Sequence, residues 1–427
     1  MGTLIRKYKL IDNILEVSIY IYVILIFLTI GEGIRNILLF TNFFLWLLTL
    51  KNRENIKILT EPISLLFWGF IATILISVIF SIDPLYSFTS LREDPLKSVL
   101  LFPVLSTVLS EEKRFKRLTY VLFGVLIFTI SIGFYSYWAY DLPIVKPNTP
   151  LRHANLNRFA LDLNILFPFA FILFLTAKKP QIKIATIITV IAGISALILS
   201  TSRGGSIAFF SLILIWAVYG AKKYNADFKK ILIGIIASFI LLGTIFYNSS
   251  PYLKLKITAL NKDIKTLSTR TTIWTPLVYA VSERPITGWG YGPNIFKIDL
   301  PFQNTPFKTS PSKIDPSLRQ PHNAFLRVLF HQGIVGLFMY LALLIGAIKA
   351  FWKNALERKN FSSYILFACT SILISSYLVH SIVENTHLLY LSMILGIGVA
   401  ARNLRDEDSN SYPQNEGYVN VTERAEQ

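Results

Sequence analysis

Twelve apolar runs, most of them close to the length of one membrane crossing, constrain this 427-residue chain more than any other feature. They cover residues 14–30, 33–50, 62–81, 96–110, 118–138, 160–177, 182–199, 206–220, 230–247, 323–348, 361–383 and 386–401. Wound as a helix, about 18 to 20 apolar residues span the hydrocarbon core of a bilayer. In lipid every backbone N–H and C=O must be satisfied within the span, which selects helices for runs of this kind. The chain is therefore expected to be an all-α, polytopic integral membrane protein of about twelve transmembrane helices. Its one large loop falls between spans nine and ten. Composition agrees: 53% of residues are hydrophobic and 16% charged, against about 25% charged in an ordinary soluble domain. The first run follows Arg6, Lys7 and Lys9 as a signal peptide's would. No small-residue cleavage site comes after it and eleven more runs do, so it reads as a retained helix.

Charge sets the expected orientation. With the N-terminus inside, the inner segments hold 24 of the 42 Lys and Arg residues, and the short outer loops hold seven. The other eleven lie in 248–327, too long a segment for the rule to weigh. This asymmetry places both termini in the cytoplasm and accounts for much of the net charge of +17 without a nucleic-acid partner. The expected organisation is spans one to nine in 1–247, an outer loop with an amphipathic helix in 248–322, spans ten to twelve in 323–402, and a disordered cytoplasmic tail in 403–427. The Asp406-Glu407-Asp408 run of that tail reads as solvated acid, not a metal site. The one cysteine, Cys369, lies within a span and permits no internal disulfide.

The outer face concentrates the polar chemistry. STSRGGS (200–206) joins two spans and sets Arg203 at the membrane edge, where an arginine needs a partner or must snorkel to the headgroups. Gly204 and Gly205 read as keeping that turn small. Within the long loop, residues 269–281 put Ile273, Trp274, Leu277, Val278 and Val281 at helical spacing. Thr269 is a candidate cap, Arg270 lies in the first turn, and Pro276 is either a kink or a later start. Gly288, Gly290 and Gly292 permit a tight turn open to a ligand, or an ordinary turn. His322 opens span ten at the outer surface, and histidine is the natural proton acceptor near neutral pH. Arg152, His153 and Arg158 lie on the same face. Several arginines beside a histidine, with no evident metal cage, suggest an anionic lipid ligand, since guanidinium matches phosphate oxygens bidentately.

Four stretches in order carry a resemblance: HANLNRFA (153–160), TSRGG (201–205), STRTTIW…ERPITGWGYG (268–292) and PHNAFLRVLFHQGIVGL (321–337). Together they resemble the O-antigen ligase / O-antigen polymerase superfamily over residues 150–400. The N-terminal third matches only as hydrophobic spans. The resemblance implies a bacterial inner-membrane glycosyltransferase with a periplasmic active site and no cofactor. Its donor would be an undecaprenyl-pyrophosphate-linked glycan and its acceptor the lipid A core oligosaccharide, among membrane lipids. Transfer would be inverting and metal-independent, as in lipopolysaccharide O-antigen ligases, the most similar branch. It implies that Arg203 and Arg270 bind the pyrophosphate and that His322 accepts the acceptor's proton. Arg152, His153, Asn155, Arg158, Tyr291 and Asn323 are secondary substrate-binding candidates.

Three other readings stand beside it. A polymerase would extend a carrier-linked glycan instead, and a protein O-oligosaccharyltransferase would glycosylate protein hydroxyls. A lipid-linked glycan transporter would want ionisable groups deep in the bundle and repetition between its halves. His380 and Glu384, four apart near the outer end of span eleven, form a candidate relay or structural pair. Asp83, Glu93 and Asp94 offer outer acids without metal-ligand spacing.

Overall fold

The computed structural model describes residues 2–28, 31–50, 54–224, 227–258, 270–293, 295, 321–385 and 387–404. Among these described residues the protein is 82% helix and has no strand. Nearly all of the expected tail, the cap at Thr269 and about half of the loop before His322 lie outside the described residues. The helices are α1 (Gly2–Ile26), α2 (Glu32–Thr49), α3 (Pro62–Ile79), α4 (Pro84–Ser90), α5 (Asp94–Val108) and α6 (Glu112–Ala139). Next come α7 (Leu156–Thr176), α8 (Pro180–Leu199), α9 (Arg203–Tyr224), α10 (Phe228–Ser249), α11 (Pro251–Thr258) and α12 (Arg270–Glu283). Last are α13 (Ala324–Glu357), α14 (Phe361–Ile372) and α15 (Leu388–Arg402). A π-helical turn, Leu373–Val379, and a 3-10 turn, His380–Ile382, extend α14.

All twelve apolar runs fall on helices. Among the described residues, seven of those helices are long and apolar enough to cross a membrane: α3, α6, α7, α8, α9, α13 and the composite Phe361–Ile382. The α15 helix is apolar but shorter, and α5 has 15 residues with Pro103 inside it. The protein is thus a multipass membrane protein by these seven candidate spans.

Position in the bundle follows from which side chains each helix turns outward. In α7, 78% of the apolar window is buried, against 22% in α8. Ile184, Ile188 and Ile191 of α8 are exposed at helical spacing, the pattern of a lipid-facing stripe. Its opposite side buries Thr186, Gly193 and Ala196, small residues that let helices approach closely. The composite helix beginning with α14 is buried to the same extent as α7, and the two pack together at the centre. On one flank α15 lies along α5 and α13 along α3.

The α13 helix is broken near its start. Gly333 has φ 66° and ψ −166°, and a Cβ there would meet the Ile286 carbonyl oxygen at 2.1 Å. The break frees backbone groups that must find partners. Residues 285–290 supply them. Ile334 N–H donates to the Pro285 carbonyl (2.7 Å), and Trp289 N–H and Gly290 N–H donate to the Phe330 and His331 carbonyls (2.9 and 3.1 Å). This decides between the two readings of the glycine turn. Gly288, Gly290 and Gly292 do have positive φ, but protein fills the space beside them; a Cβ on Gly290 would lie 2.0 Å from Ser81 Oγ. They admit a neighbouring chain segment, not a ligand. Helix α12 runs unbroken through Pro276 and buries Leu277 and Ala280, while Val278 is exposed.

Candidate functional site

The site forms where α7, α9 and α13 begin at one end of the bundle. Asn155 caps α7, its side chain accepting the Arg158 N–H (2.8 Å), as a favoured N-cap residue does. In the first turn of α7, Asn157 reaches two ways: its amide nitrogen donates to Glu384 Oε2, and its oxygen accepts from Ser202 Oγ (2.9 Å). Ser202 Oγ also accepts the Gly205 N–H (3.3 Å). Glu384 Oε1 meets His322 Nδ1 at 3.0 Å. One chain of side chains therefore links His322, Glu384, Asn157 and Ser202, ending beside Arg203.

The backbone is strained at both ends of this chain. His322 has φ 49° and Thr201 φ 58°, a left-handed conformation costing about 1–3 kcal/mol at a non-glycine residue. His322 directly precedes Asn323, whose oxygen accepts the Leu326 N–H (3.0 Å) and caps α13. The His322 side chain is 38% exposed and that of Glu384 13%. Burial alone would raise the Glu384 carboxyl's pKa. The hydrogen bond and charge of His322, the Asn385 amide and Asn157 outweigh burial and hold it below the usual range. An ionised Glu384 makes Nδ1 the protonated ring nitrogen of neutral His322, which leaves Nε2 as the free base.

Three sequence expectations change in detail. The connection after α8 is Ser200–Ser202, and Arg203 is the first residue of α9, exposed. Gly204 and Gly205 lie in that helix's first turn, where a Cβ would meet Val383 at 2.5 Å and Ala160 at 2.2 Å respectively. They let α9 pack closely and do not shorten the turn. Glu384 does not pair along a helix face with His380. The helix has already ended, so the Glu384 side chain turns to His322, while fully buried His380 sits under Gly204.

The remaining candidates separate. Arg270 opens α12, and its side chain lies outside the described residues. Arg152 is 1% exposed, ion-paired with Asp162 and donating to the Phe27 carbonyl. Arg158 donates to Asp162 (3.1 Å) and to the Tyr390 hydroxyl (2.6 Å). His153 is exposed beside the isolated bridge to Asn148. Tyr291 is buried, and burial raises its phenol's pKa.

Behind Arg158 lies a second polar cluster. His387 Nδ1 faces Asp94 Oδ2 at 3.5 Å. Burial would raise the Asp94 pKa, but the His387 hydrogen bond and charge and the charges of Arg327 and Arg158 hold it at about 2. A carboxyl depressed from 3.8 in this way contributes stability that is complete above pH 3.8 and is lost as pH falls towards 2. Thermal unfolding in detergent between pH 5 and 2 should accordingly show a smaller acid loss in Asp94→Asn than in wild type. Parallel curves would mean that Asp94 contributes nothing to the acid limb.

Sequence reasoning missed Asn157 as an anchor and the union of Glu384 with His322, which are 62 residues apart. The one available signal was an acid at the end of an apolar run. Residues 187–341 match the family model described as O-Antigen ligase. The chain is also 22% identical over 341 residues to the O-antigen ligase of Salmonella typhimurium (strain LT2), covering 77% of this chain and 80% of that protein. The domain match spans both Arg203 and His322, and with the relative it supports membership of the O-antigen ligase superfamily for this chain.

Proposed function

We propose that the protein is an O-antigen ligase of the bacterial inner membrane. It transfers a glycan from undecaprenyl pyrophosphate to a sugar hydroxyl of the lipid A core at the periplasmic face. The observation that carries this reading is the Glu384–His322 contact, tied through Asn157 and Ser202 to the turn before Arg203. A base and an anion-binding arginine are thereby mounted on one hydrogen-bonded frame. The lysine and arginine asymmetry supports cytoplasmic termini and a periplasmic site.

In the proposed reaction the acceptor hydroxyl oxygen attacks the anomeric carbon from the face opposite the leaving group. The new carbon–oxygen bond forms as the bond to the pyrophosphate breaks, and the pyrophosphate leaves with that electron pair. His322 Nε2 takes the hydroxyl proton, and Glu384 stabilises the resulting imidazolium. Arg203, with Arg270, offsets the charge that grows on the departing pyrophosphate. The N–H groups at the start of α9 favour an anion at the same place.

The test uses purified protein in detergent with undecaprenyl-pyrophosphate glycan, lipid A core and a chelator, and no nucleotide sugar. A lipid A core product of increased size is the expected result. A lengthening ladder on the carrier lipid would identify a polymerase instead, and silence in both would remove the transferase reading. Within the working assay, Glu384→Gln should lower kcat by about 10- to 100-fold with little change in acceptor KM. The amide keeps the shape but loses the charge that stabilises the imidazolium. Unchanged kcat would show that Glu384 only holds the loop.

A further inference from the structure

We propose that the groove between α2 and α5 receives the acceptor glycolipid, and that Arg35, Lys97 and Arg158 hold an acidic group of its saccharide. The proposal rests on the reading of the chain as a transferase with two lipid substrates.

Three adjoining cavities define the groove. The largest of the three, about 410 Å³, lies between α2 and α5 and has an apolar side formed by Phe40, Leu96 and Leu100 together with charged residues that include Arg92 and Lys97. It shares Glu32, Asn36 and Lys97 with a polar chamber of about 200 Å³. That chamber adds Arg35, Arg158 and Tyr390, and it shares Asp94 and His387 with a smaller cavity of about 50 Å³. The smallest cavity reaches Ala324 and Arg327. Ala324 is two residues from His322, so the cavities run from the bundle's α2/α5 surface towards the proposed base.

Neighbouring residues divide this path from the proposed donor side. Glu384 meets His322 and Asn157 holds Glu384, whereas Arg158 and His387 line the chamber. The first turn of α7, with Glu384, His387 and Tyr390, forms the wall, stiffened by the Arg158–Tyr390 and Arg158–Asp162 bonds. A transferase with two bulky lipids needs such a separation, because one lipid-binding cleft does not hold both carriers at once.

The lining selects the ligand's chemistry. An apolar mouth leading to a polar interior fits an amphiphile. Glu32, Asn36 and Asp94 offer acceptors to sugar hydroxyls. Arg35 uses one N–H on the Leu28 carbonyl (3.1 Å), and a guanidinium has five donors in all. Lys97 meets Glu32 at 3.3 Å, with Glu32 68% exposed, an open pair whose cation a phosphate or carboxylate can take over. Mixed charge with carbonyl and hydroxyl partners suits a saccharide bearing an acidic group better than a bare phosphate.

Binding would be measured in nanodiscs with three probes: phosphorylated lipid A core, undecaprenyl pyrophosphate and phosphatidylglycerol. Arg35→Gln/Lys97→Gln and, independently, Asn36→Trp, which plugs the junction of the two larger cavities without changing charge, should each weaken lipid A core binding by about ten-fold or more. Their undecaprenyl pyrophosphate affinity and Tm should stay near wild type. Arg203→Ala should show the reverse selectivity. Wild-type lipid A core affinity in both groove variants would overturn the proposal, as would equal competition by phosphatidylglycerol, which would make the groove a general anionic-lipid site. Undiminished undecaprenyl pyrophosphate binding in Arg203→Ala would count against the donor assignment alone, because the lipid A core arm still decides the groove.

Discussion

Replacing His322 with alanine should reduce kcat for glycan transfer by about 10²- to 10⁴-fold, the range spanned by a positioned general base. Binding of undecaprenyl pyrophosphate should persist, because in the proposed reaction the imidazole acts on the acceptor's proton and not on the donor's charge. The argument rests on how the ring is held. Glu384 meets Nδ1 at 3.0 Å and is itself fixed by Asn157, which leaves Nε2 outside that contact on a side chain that is 38% exposed. The left-handed backbone at His322 places the ring one residue ahead of the α13 cap, where a regular helical residue would point elsewhere. His322→Gln keeps a hydrogen-bonding side chain but offers no comparable base, so it should be nearly as inactive as alanine. The double variant His322→Ala/Glu384→Gln should be no worse than His322→Ala, since residues that act as a unit are not additive. Measured kcat values of the four proteins, at matched thermal stability, decide this. A double variant much slower than His322→Ala would give Glu384 a separate task, and an active His322→Ala would remove histidine from the chemistry.

What could be read in the sequence is what lipid imposes locally. Each apolar run lies on a helix, because a span satisfies its own backbone. His322 was expected at the start of a helix and sits one residue before the Asn323 cap. Helical spacing likewise found the buried Leu277 of α12. Features that depend on distant partners were not legible. The Gly288–Gly292 series looks like an open turn until the broken α13 is seen beside Gly288, and Ser81, Tyr86 and Ser90 beside Gly290 and Gly292. Arg152 and Arg158 look alike in sequence, yet one is sealed against Asp162 and Phe27 while the other lines a cavity. His380 and Glu384 look like a helical pair only if the α-helix continues. A π turn and a 3-10 turn intervene, and the carboxylate swings to a residue 62 positions earlier. Departures of that kind from regular helix are frequent at functional sites.

Arg203→Ala should lower kcat/KM for the undecaprenyl pyrophosphate donor by about 10²- to 10³-fold, the usual loss when one donor aimed at growing negative charge is removed. Arg203 is the first residue of α9, and the preceding turn is held by Ser202 bonding both Asn157 and the Gly205 N–H. The guanidinium therefore projects from a fixed base, next to helix N–H groups that favour the same anion. Arg203→Lys separates charge from geometry. Lysine keeps the positive charge but cannot make the bidentate contact with phosphate oxygens, so it should recover only part of the loss. If Arg203 merely snorkelled to headgroups, lysine would serve as well, and alanine would lower thermal stability without selectively affecting the donor. Donor and acceptor KM, kcat and Tm for the three proteins distinguish the cases. A loss confined to the donor, partial in lysine and severe in alanine, is the signature of a pyrophosphate contact. Equal behaviour of lysine and arginine would return Arg203 to the membrane surface and leave the leaving group to be stabilised by Arg270 and the start of α9.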